Sequence, residues 1–264
     1  MQNRTTNSFD DVPIAYSLSG TAETALIFIH GGMSDRGFWD NQHPAFADRF
    51  RVIALDLAGH GESGTDRPNW SIPNCGRDIV AVMNTERVSR AVLIGNSLGG
   101  PAAIEAAIPT APRVLAVIGI DTFQDMGRTM DPDQMNQMAE SWRRDYAGSM
   151  DQMLHILLHP DTDPALFEDV RRRMSKTSPD VGYNMFRSFG GYDTSALGRK
   201  LTIPVRCING DRFPTDIPAI RRFLADFDAV VLPHTGHYPM LECPEKFNRT
   251  LAAVLESLRL PQVA

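Results

Sequence analysis

Short apolar runs alternate along the chain with longer segments of helical periodicity. Seven runs rich in Val, Ile, Leu and Ala are predicted strands, at residues 12–18, 25–29, 51–55, 91–94, 114–120, 203–208 and 229–232. Most are nearly continuous apolar, which is typical of strands covered on both faces. Helices are predicted between them, at residues 72–87, 98–107, 217–227 and 244–258. This alternation predicts an α/β fold with a mostly parallel sheet and helices on both faces.

The alternation stops between residues 121 and 197, where the sequence has no convincing strand run. Eight of the 12 methionines fall in this stretch. It also contains four helix-like segments, at residues 132–146, 150–158, 164–174 and 181–189. Flexible methionine side chains suit the roof of a substrate pocket, although ordinary helix packing explains them equally well. We therefore divide the chain into a first core part (1–121), a helical cap (122–196) and a second core part (197–264).

Composition narrows the class of protein and of partner. The 264 residues include 32 acidic and 26 basic side chains, and the resulting net charge of −6 does not suit nucleic acid. Three cysteines without a CxxC spacing favour a reducing compartment. The first residues lack the apolar core of a signal peptide, and no apolar stretch is long enough to span a membrane. We expect a cytoplasmic protein, monomer or homodimer, whose partner is a small molecule and neither nucleic acid nor a membrane.

The most specific motif is a G-x-S-x-G sequence that follows a predicted strand and precedes an Ala-rich predicted helix. A sharp strand-to-helix turn of this kind exposes the hydroxyl of its serine, here Ser97. Gly95 and Gly99 leave room for the close backbone approach that the turn requires. The N-terminus of the helix favours negative charge that develops beside the serine. The motif therefore predicts that Ser97 is a nucleophile.

Three further segments complete a pattern that resembles the α/β-hydrolase fold superfamily, in its branch of serine esterases and C–C-bond hydrolases. They are HGGM at residues 30–33, DLAGHGES at 56–63 and GHYPMLECP at 236–244, each in the loop that follows a predicted strand. The resemblance covers essentially the whole chain and is least specific in the cap. It implies an eight-stranded, mostly parallel sheet and acyl-transfer chemistry that needs no cofactor.

The same resemblance implies two backbone donors for a developing oxyanion. They are the N–H of Leu98, directly after the nucleophile, and the N–H of Gly32 in the HGGM loop. Met33 and Asn96 are neighbours of these groups in the sequence. We therefore expect both of these residues to contact the substrate.

Among the seven histidines, His237 is the predicted base, since it lies in a glycine-containing loop between the last strand and the last helix. The chain order of Ser before His fits the catalytic triad of this fold. His234 lies close by in the same loop and is a weaker competitor. His30 and His60 are expected to order their own loops.

The carboxylate that orients the histidine is the least regular part of the pattern. Most relatives carry it after the seventh of the family's eight strands, in a G-x-x-D sequence; here that strand is the predicted run at 203–208, and Phe213 occupies the acid position. In some relatives the acid follows the family's sixth strand instead, which here is the run at 114–120, and Asp121 at its end is therefore the predicted acid. Asp211 and Asp216 remain alternatives, as does a dyad without an acid.

Two other motifs are set aside. The G-x-G-x-x-G sequence at residues 59–64 precedes a loop instead of the helix that a dinucleotide site requires. His155 and His159 have the spacing of a zinc-binding helix, but they lack an adjacent glutamate and a third ligand in the sequence. We expect no cofactor and no metal.

Together these residues predict a cofactor-independent serine hydrolase of the Ser-His-Asp type. Its expected substrate is a small to medium carboxylic ester, lactone or thioester, cleaved through an acyl-enzyme on Ser97. A C–C-bond hydrolase of the same fold is a close alternative. The irregular acid also leaves open a ligand receptor, a lyase or a cofactor-free oxygenase on this scaffold, with little hydrolytic turnover.

Overall fold

The structure is a computed structural model of the chain, and it describes residues 1–124 and 126–258. Its centre is a single sheet whose strands are β1 (Gln2–Asn7), β2 (Pro13–Ser19), β3 (Thr24–Ile29), β4 (Arg51–Leu55), β5 (Arg90–Asn96), β6 (Val114–Ile120), β7 (Val205–Gly210) and β8 (Phe227–Leu232). They lie in the order β1-β2-β4-β3-β5-β6-β7-β8. β2 is antiparallel to both of its neighbours, and all other neighbouring pairs are parallel.

Helices connect most of the strands. They are α1 (Gln42–Phe46), α2 (Ile72–Thr85), α3 (Gly99–Thr110), α4 (Pro132–Arg144), α5 (Tyr146–Leu157), α6 (Pro164–Met174), α7 (Pro179–Phe189), α8 (Thr194–Gly198), α9 (Ile217–Ile220), α10 (Pro239–Glu242) and α11 (Pro244–Ser257). A short 3₁₀ helix at Arg36–Trp39 precedes α1. Within the described part of the chain, none of these helices combines the length and the apolar character needed to cross a membrane.

The predicted fold class is confirmed, and all of the predicted strands occur within a few residues of their expected bounds. The eighth strand, which the hydrophobic pattern did not identify, is β1. Its residues are polar and mostly exposed, because it pairs only with β2 at the edge of the sheet. An edge strand of this kind is held by its backbone pairing, so its sequence does not need an apolar pattern.

The predicted helix at residues 217–227 is wrong over most of its length. α9 is a single turn that the Asp216 side chain caps, and β8 already begins at Phe227. Arg221 Nε donates to the Phe227 carbonyl at 2.8 Å, which holds the chain in a turn between the two elements. Phe227 is paired with Val205 of β7, so formation of the sheet overrides the local helical pattern.

Apolar side chains cover both faces of the sheet. Successive residues of β3 point to opposite sides, so that Ile27 and Ile29 join one apolar cluster and Leu26 and Phe28 join the other. The first cluster includes residues of α2 and α3, and the second includes residues of α11 and of the 3₁₀ helix. All of these strand residues are fully buried. The sheet therefore holds the loops at its carboxyl edge in fixed relative positions.

Helices α4 to α8 lie between β6 and β7 in the chain, where a helical insertion is predicted. Each of the predicted segments there is helical, with ends that differ by a few residues. α4 packs against α7, and α8 packs against α3 of the core. The division into residues 1–121, 122–196 and 197–264 stays a prediction.

A buried ion pair anchors the first strands to α2. The Arg67 guanidinium donates to both oxygens of Asp78, at 2.6 and 2.9 Å, and to both oxygens of Asp10, at 2.9 and 3.0 Å. Asp78 also accepts from the Ser8 hydroxyl at 2.6 Å, and its side chain is fully buried. Because a buried carboxylate loses its hydration, it is tolerated only while these donors remain in place.

Replacing Asp78 with alanine should destabilise the protein strongly, because Arg67 would keep its buried charge with only Asp10 to balance it. We expect the free energy of unfolding to fall by about 3 kcal/mol or more, measured by denaturant titration. The matched control is Glu168→Ala, which removes a largely exposed pair with Arg171 and should leave the midpoint nearly unchanged. Similar midpoints for the two variants would contradict the role of Asp78.

Candidate active site

Ser97 lies at a sharp turn between β5 and α3. Its φ of 51° is in the left-handed region, which is strained for a residue with a side chain. Two glycines make the turn possible: a Cβ at Gly95 would lie 2.1 Å from the Gly99 carbonyl oxygen, and a Cβ at Gly99 would lie 2.5 Å from the Ile29 carbonyl oxygen. The Ser97 N–H donates to the Ile120 carbonyl at 3.1 Å. The turn is therefore fixed against the ends of both neighbouring strands.

The loop after β3 runs alongside this serine. A Cβ at Gly31 would lie 3.2 Å from the Ser97 Cβ, whereas a Cβ at Gly32 would meet no atom within 4 Å. Gly32 therefore borders open space. Among residues 1–124 and 126–258, neither the Gly32 N–H nor the Leu98 N–H donates to a protein acceptor. These are the two donors that the resemblance implies, and both are available to a ligand.

Met33 is held differently from Gly32. Its N–H donates to His60 Nε2 at 3.0 Å, so it is not available to a ligand. Its carbonyl accepts from the Thr177 hydroxyl of the cap at 3.2 Å, and its side chain is buried near Gly182 of α7. Met33 thus joins the loop after β3 to the cap, and its contact with a substrate stays a prediction.

Two buried histidines brace the loop after β3 against the loop after β4. His30 Nε2 accepts from the Leu57 N–H at 3.0 Å, so the proton is on Nδ1, which donates to the Gly31 carbonyl at 2.6 Å. His60 Nε2 accepts from Met33, and its Nδ1 donates to a carbonyl of its own loop at 2.9 Å. Each ring orders its own loop, as expected, and also bonds the neighbouring loop. Burial lowers the pKa of His30 to about 4 and that of His60 to about 3, so both rings stay neutral.

The structure brings Asp121 and His237 together. Asp121 Oδ2 lies 2.5 Å from His237 Nδ1, and both residues are buried. The second carboxylate oxygen accepts from the Gly210 N–H at 3.0 Å and from Gln124 Nε2 at 2.8 Å. With Nδ1 bonded to the carboxylate, Nε2 is the ring nitrogen left for proton transfer.

The two alternative acids lie elsewhere. Asp211 is exposed and accepts from the N–H groups of His234 at 2.8 Å and Thr235 at 3.1 Å, and these bonds hold its pKa below the usual range. It therefore shapes the loop that leads to His237. Asp216 caps the N-terminus of α9.

Asn96 connects the nucleophile turn to the loop of the predicted base. Its Nδ2 donates to the Ile120 carbonyl at 3.0 Å and to the His237 carbonyl at 2.9 Å, and the residue is fully buried. Both amide hydrogens are used by the protein backbone, whereas the buried Oδ1 accepts no hydrogen bond from the described residues. The contact of Asn96 with a substrate stays a prediction. The Ser97 hydroxyl has no hydrogen-bond partner within the described residues. Ser97 and His237 are therefore linked indirectly, through the Asn96 side chain.

The cap is bonded to the loop that carries His237. The His237 N–H donates to the carbonyl of Leu157 at the end of α5, at 2.9 Å. The Glu242 carboxylate accepts from the Tyr238 N–H at 2.9 Å and, in the cap, from the His159 N–H at 3.1 Å. A shift of this part of the cap would therefore move the predicted base.

Two residues of the site are not identified from sequence. Glu242 lies inside the GHYPMLECP segment, and this position indicates that it could stabilise the loop that holds His237. Gln124 follows Asp121 closely, but neither its residue type nor its spacing indicates the bond that it makes.

Stability should fall as the pH is lowered through the acidic range. In the unfolded chain the pKa of a histidine is about 6.5. In the folded protein burial lowers the pKa of His30 to about 4 and that of His60 to about 3, so both rings resist protonation. The unfolded state then binds more protons, so each of these histidines should remove about 1.4 kcal/mol of unfolding free energy per pH unit between about pH 6 and pH 4. Denaturant titrations at stepped pH measure this slope.

His60→Asn should flatten that slope by the share of one histidine. His155→Asn, at an exposed position on α5, is the matched control and should keep the wild-type slope. An unchanged slope in His60→Asn would contradict the assignment of the neutral ring.

The amino-acid sequence matches a known protein family and individual members of known function. The sequence profile of the alpha/beta hydrolase family matches residues 26–250. The chain is 24% identical over 261 residues to 3-oxoadipate enol-lactonase 2 of Acinetobacter baylyi, with 93% of this chain and 94% of that protein covered. It is 26% identical over 261 residues to the dihydrolipoyllysine-residue acetyltransferase component of the acetoin cleaving system of Pseudomonas putida, with 91% of this chain covered. The chain spans 65% of the length of that second protein.

A solved structure agrees with the fold. The thermophilic esterase of Thermogutta terrifontis (malate bound) matches with a TM-score of 0.85 and 24% identity, over 98% of this chain and 99% of that chain. The family profile extends over most of the sequence and includes the segments that hold Gly32, Ser97, Asp121 and His237. The protein therefore belongs to the alpha/beta hydrolase family and is a hydrolase.

Proposed function

We propose that the protein is a serine hydrolase that cleaves a small to medium carboxylic ester or lactone through an acyl-enzyme on Ser97. The proposal rests above all on the 2.5 Å contact between Asp121 Oδ2 and His237 Nδ1. An imidazole oriented by a carboxylate, in a loop that Asn96 bonds to the strand-to-helix turn of Ser97, is suited to acyl transfer. The enol-lactonase and the esterase among the similar proteins support esters and lactones as the substrate class. A thioester is a further substrate of the same chemistry.

In the first step, Ser97 Oγ attacks the acyl carbonyl carbon and its proton moves to His237 Nε2. The Asp121 carboxylate accepts from His237 Nδ1 and stabilises the imidazolium that forms. The Ser97 hydroxyl has no partner within the described residues, so it is free to turn toward Nε2 when the substrate binds. Contacts of this kind often tighten only in the complex with substrate.

The carbonyl oxygen becomes negatively charged as the new bond forms. The N–H groups of Gly32 and Leu98 are the donors available to it, and one such donor contributes about 10²–10³ in kcat. The C–O bond of the ester then breaks, and the leaving alcohol takes the proton from His237 Nε2. In a lactone, this alcohol stays attached to the acyl chain.

Water completes the reaction. His237 Nε2 takes a proton from a water molecule, whose oxygen attacks the acyl carbon, and Ser97 leaves with that proton. Throughout both steps the Gly210 N–H and the Gln124 amide keep Asp121 oriented. Neither step requires a cofactor.

The alternative functions are less well supported. C–C cleavage stays an alternative, but the structure gives no reason to prefer it: Asn96 Nδ2, beside the nucleophile, donates to the Ile120 and His237 carbonyls. The missing carboxylate at Phe213 is the reason to consider a receptor or lyase. The contact between Asp121 and His237 supplies a carboxylate from another strand and weakens that reason. We propose a small molecule as the partner.

Ser97→Ala should abolish turnover of p-nitrophenyl esters, because the nucleophile is lost. We expect kcat to fall by a factor on the order of 10⁴ or more. Initial rates with p-nitrophenyl butyrate, together with stoichiometric labelling of the wild type by a fluorophosphonate, test this. The control is Ser141→Ala, a partly exposed serine of α4, which should keep both rate and labelling. Wild-type rates in Ser97→Ala would overturn the proposal, and labelling without turnover would favour a receptor.

Asp121→Asn should lower kcat far more than Asp211→Asn. The first variant removes the acceptor for His237 Nδ1, with an expected loss of about 10²–10⁴-fold in kcat. The second removes only bonds to the backbone of His234 and Thr235, so its main effect should be on stability. Kinetics and thermal unfolding of both variants separate these effects. Equal and small losses of kcat in the two variants would contradict the assignment of Asp121.

A further inference from the structure

His159, Asp161 and His234 lie together where the cap meets the core. His159 and Asp161 follow α5, and His234 follows β8. Their nearest ligand atoms lie within 4.8 Å of one another, and the two imidazole centroids are 5.7 Å apart. His159 Nδ1 is 3.7 Å from a carboxylate oxygen of Asp161. None of these side chains takes part in the proposed hydrolysis, so the cluster is a separate feature of the molecule.

Carboxylates outside the cluster hold the backbones of its two histidines. The His159 N–H donates to Glu242 at 3.1 Å, and the His234 N–H donates to Asp211 at 2.8 Å. The second bond also fixes His234 at a φ of 55°. The side chains of Asp161 and His234 keep more freedom, since Asp161 is 82% exposed and His234 is exposed as well. The His159 ring is more closely held, because its Nδ1 accepts from the Asp161 N–H at 3.1 Å. One held ring with two side chains that can rotate toward it is suited to closing around a small ion.

We propose that His159, Asp161 and His234 form a surface site for a divalent transition-metal ion, with zinc as the occupant. Two imidazoles and one carboxylate are a ligand set that zinc uses, with water in the fourth position. Zinc–ligand bonds of about 2.0–2.2 Å place the ligand atoms of a tetrahedron about 3.4 Å apart, so these side chains close by no more than about 1.4 Å. Asp211 beside His234 adds negative charge that favours a cation.

His155 does not belong to this site. Its spacing from His159 is that of a zinc-binding helix, but α5 ends at Leu157, before His159. The His155 ring packs on Phe167 instead, with centroids 4.8 Å apart. The sequence around His155 and His159 offers no third ligand. The fold brings in His234 from a distant part of the chain, and its distance along the sequence gives no sign of this.

An ion at this site would join the cap to the loop of the predicted base. His234 precedes His237 in that loop, and the His237 N–H is bonded to Leu157 of the cap. The folded chain brings the three ligands together and the unfolded chain does not, so zinc should raise the melting temperature. This effect is independent of the proposed hydrolase chemistry.

Calorimetric titration of the tag-free full chain with zinc, at a pH above about 7 where an ordinary histidine is neutral, tests the site directly. We expect one zinc ion per chain and a Tm that rises with zinc concentration. His159→Asn and His234→Asn should each weaken zinc binding by at least about tenfold, because each removes one of three ligands. Asparagine is chosen at position 234 because it tolerates a positive φ.

Two variants are controls for the location of the ion. His155→Asn should bind zinc as the wild type does, and so should His237→Asn, which alters the predicted base. Loss of zinc binding in His237→Asn alone, wild-type affinity in His159→Asn or His234→Asn, or no saturable binding up to millimolar zinc would each overturn the proposal. Circular dichroism and the metal-free Tm of each variant establish that it is folded, so that lost binding is not lost structure.

Discussion

The close approach of backbones at the start of α3 determines where the site can form. Because no side chain separates Gly95, Gly99 and the end of β3, the N-terminus of α3 rests directly on the carboxyl edge of the sheet. Ser97, at this turn, lies close to Gly31 of the neighbouring loop, and the Ser97 backbone has a positive φ. Strain of this kind costs about 1–3 kcal/mol and persists only where the surroundings over-determine the backbone. The buried strands beneath the turn meet that condition.

The loops of the site are bonded to one another as well as to the strands that carry them. His30 and His60 each bridge the loops after β3 and β4. Asn96 joins the nucleophile turn to the histidine loop, and Glu242 joins that loop to the cap. A change in any of these residues would therefore displace more than its own segment. The geometry of the site is a property of the whole set of loops.

The strands and the nucleophile turn could be predicted because their signals are local: apolar runs for buried strands, and glycines at fixed spacing for the turn. Asp121 could be named only because Phe213 excludes the usual acid, while its contact with His237 depends on how β6 meets the loop after β8. β1 and the end of α9 depend on pairing within the sheet, which local pattern does not encode. The sequence places Asn96 beside Ser97, but it does not indicate that the Asn96 side chain donates to the Ile120 and His237 carbonyls.

The position of Asp121 also bears on how this protein could change over time. The strand that ends at Asp121 is the stem from which the cap departs, and Gln124 on that stem bonds the carboxylate. Asp121 and Gln124, where the chain enters the cap, thus determine how His237 is oriented, so substitutions there would disturb the site. Position 213, after β7, is released from that duty because Phe213 replaces the carboxylate, although Asp211 in the same loop still holds the backbone of His234 and Thr235. A cap exchanged between relatives would therefore have to be joined after Gln124, whereas residue 213 no longer has to be an acid.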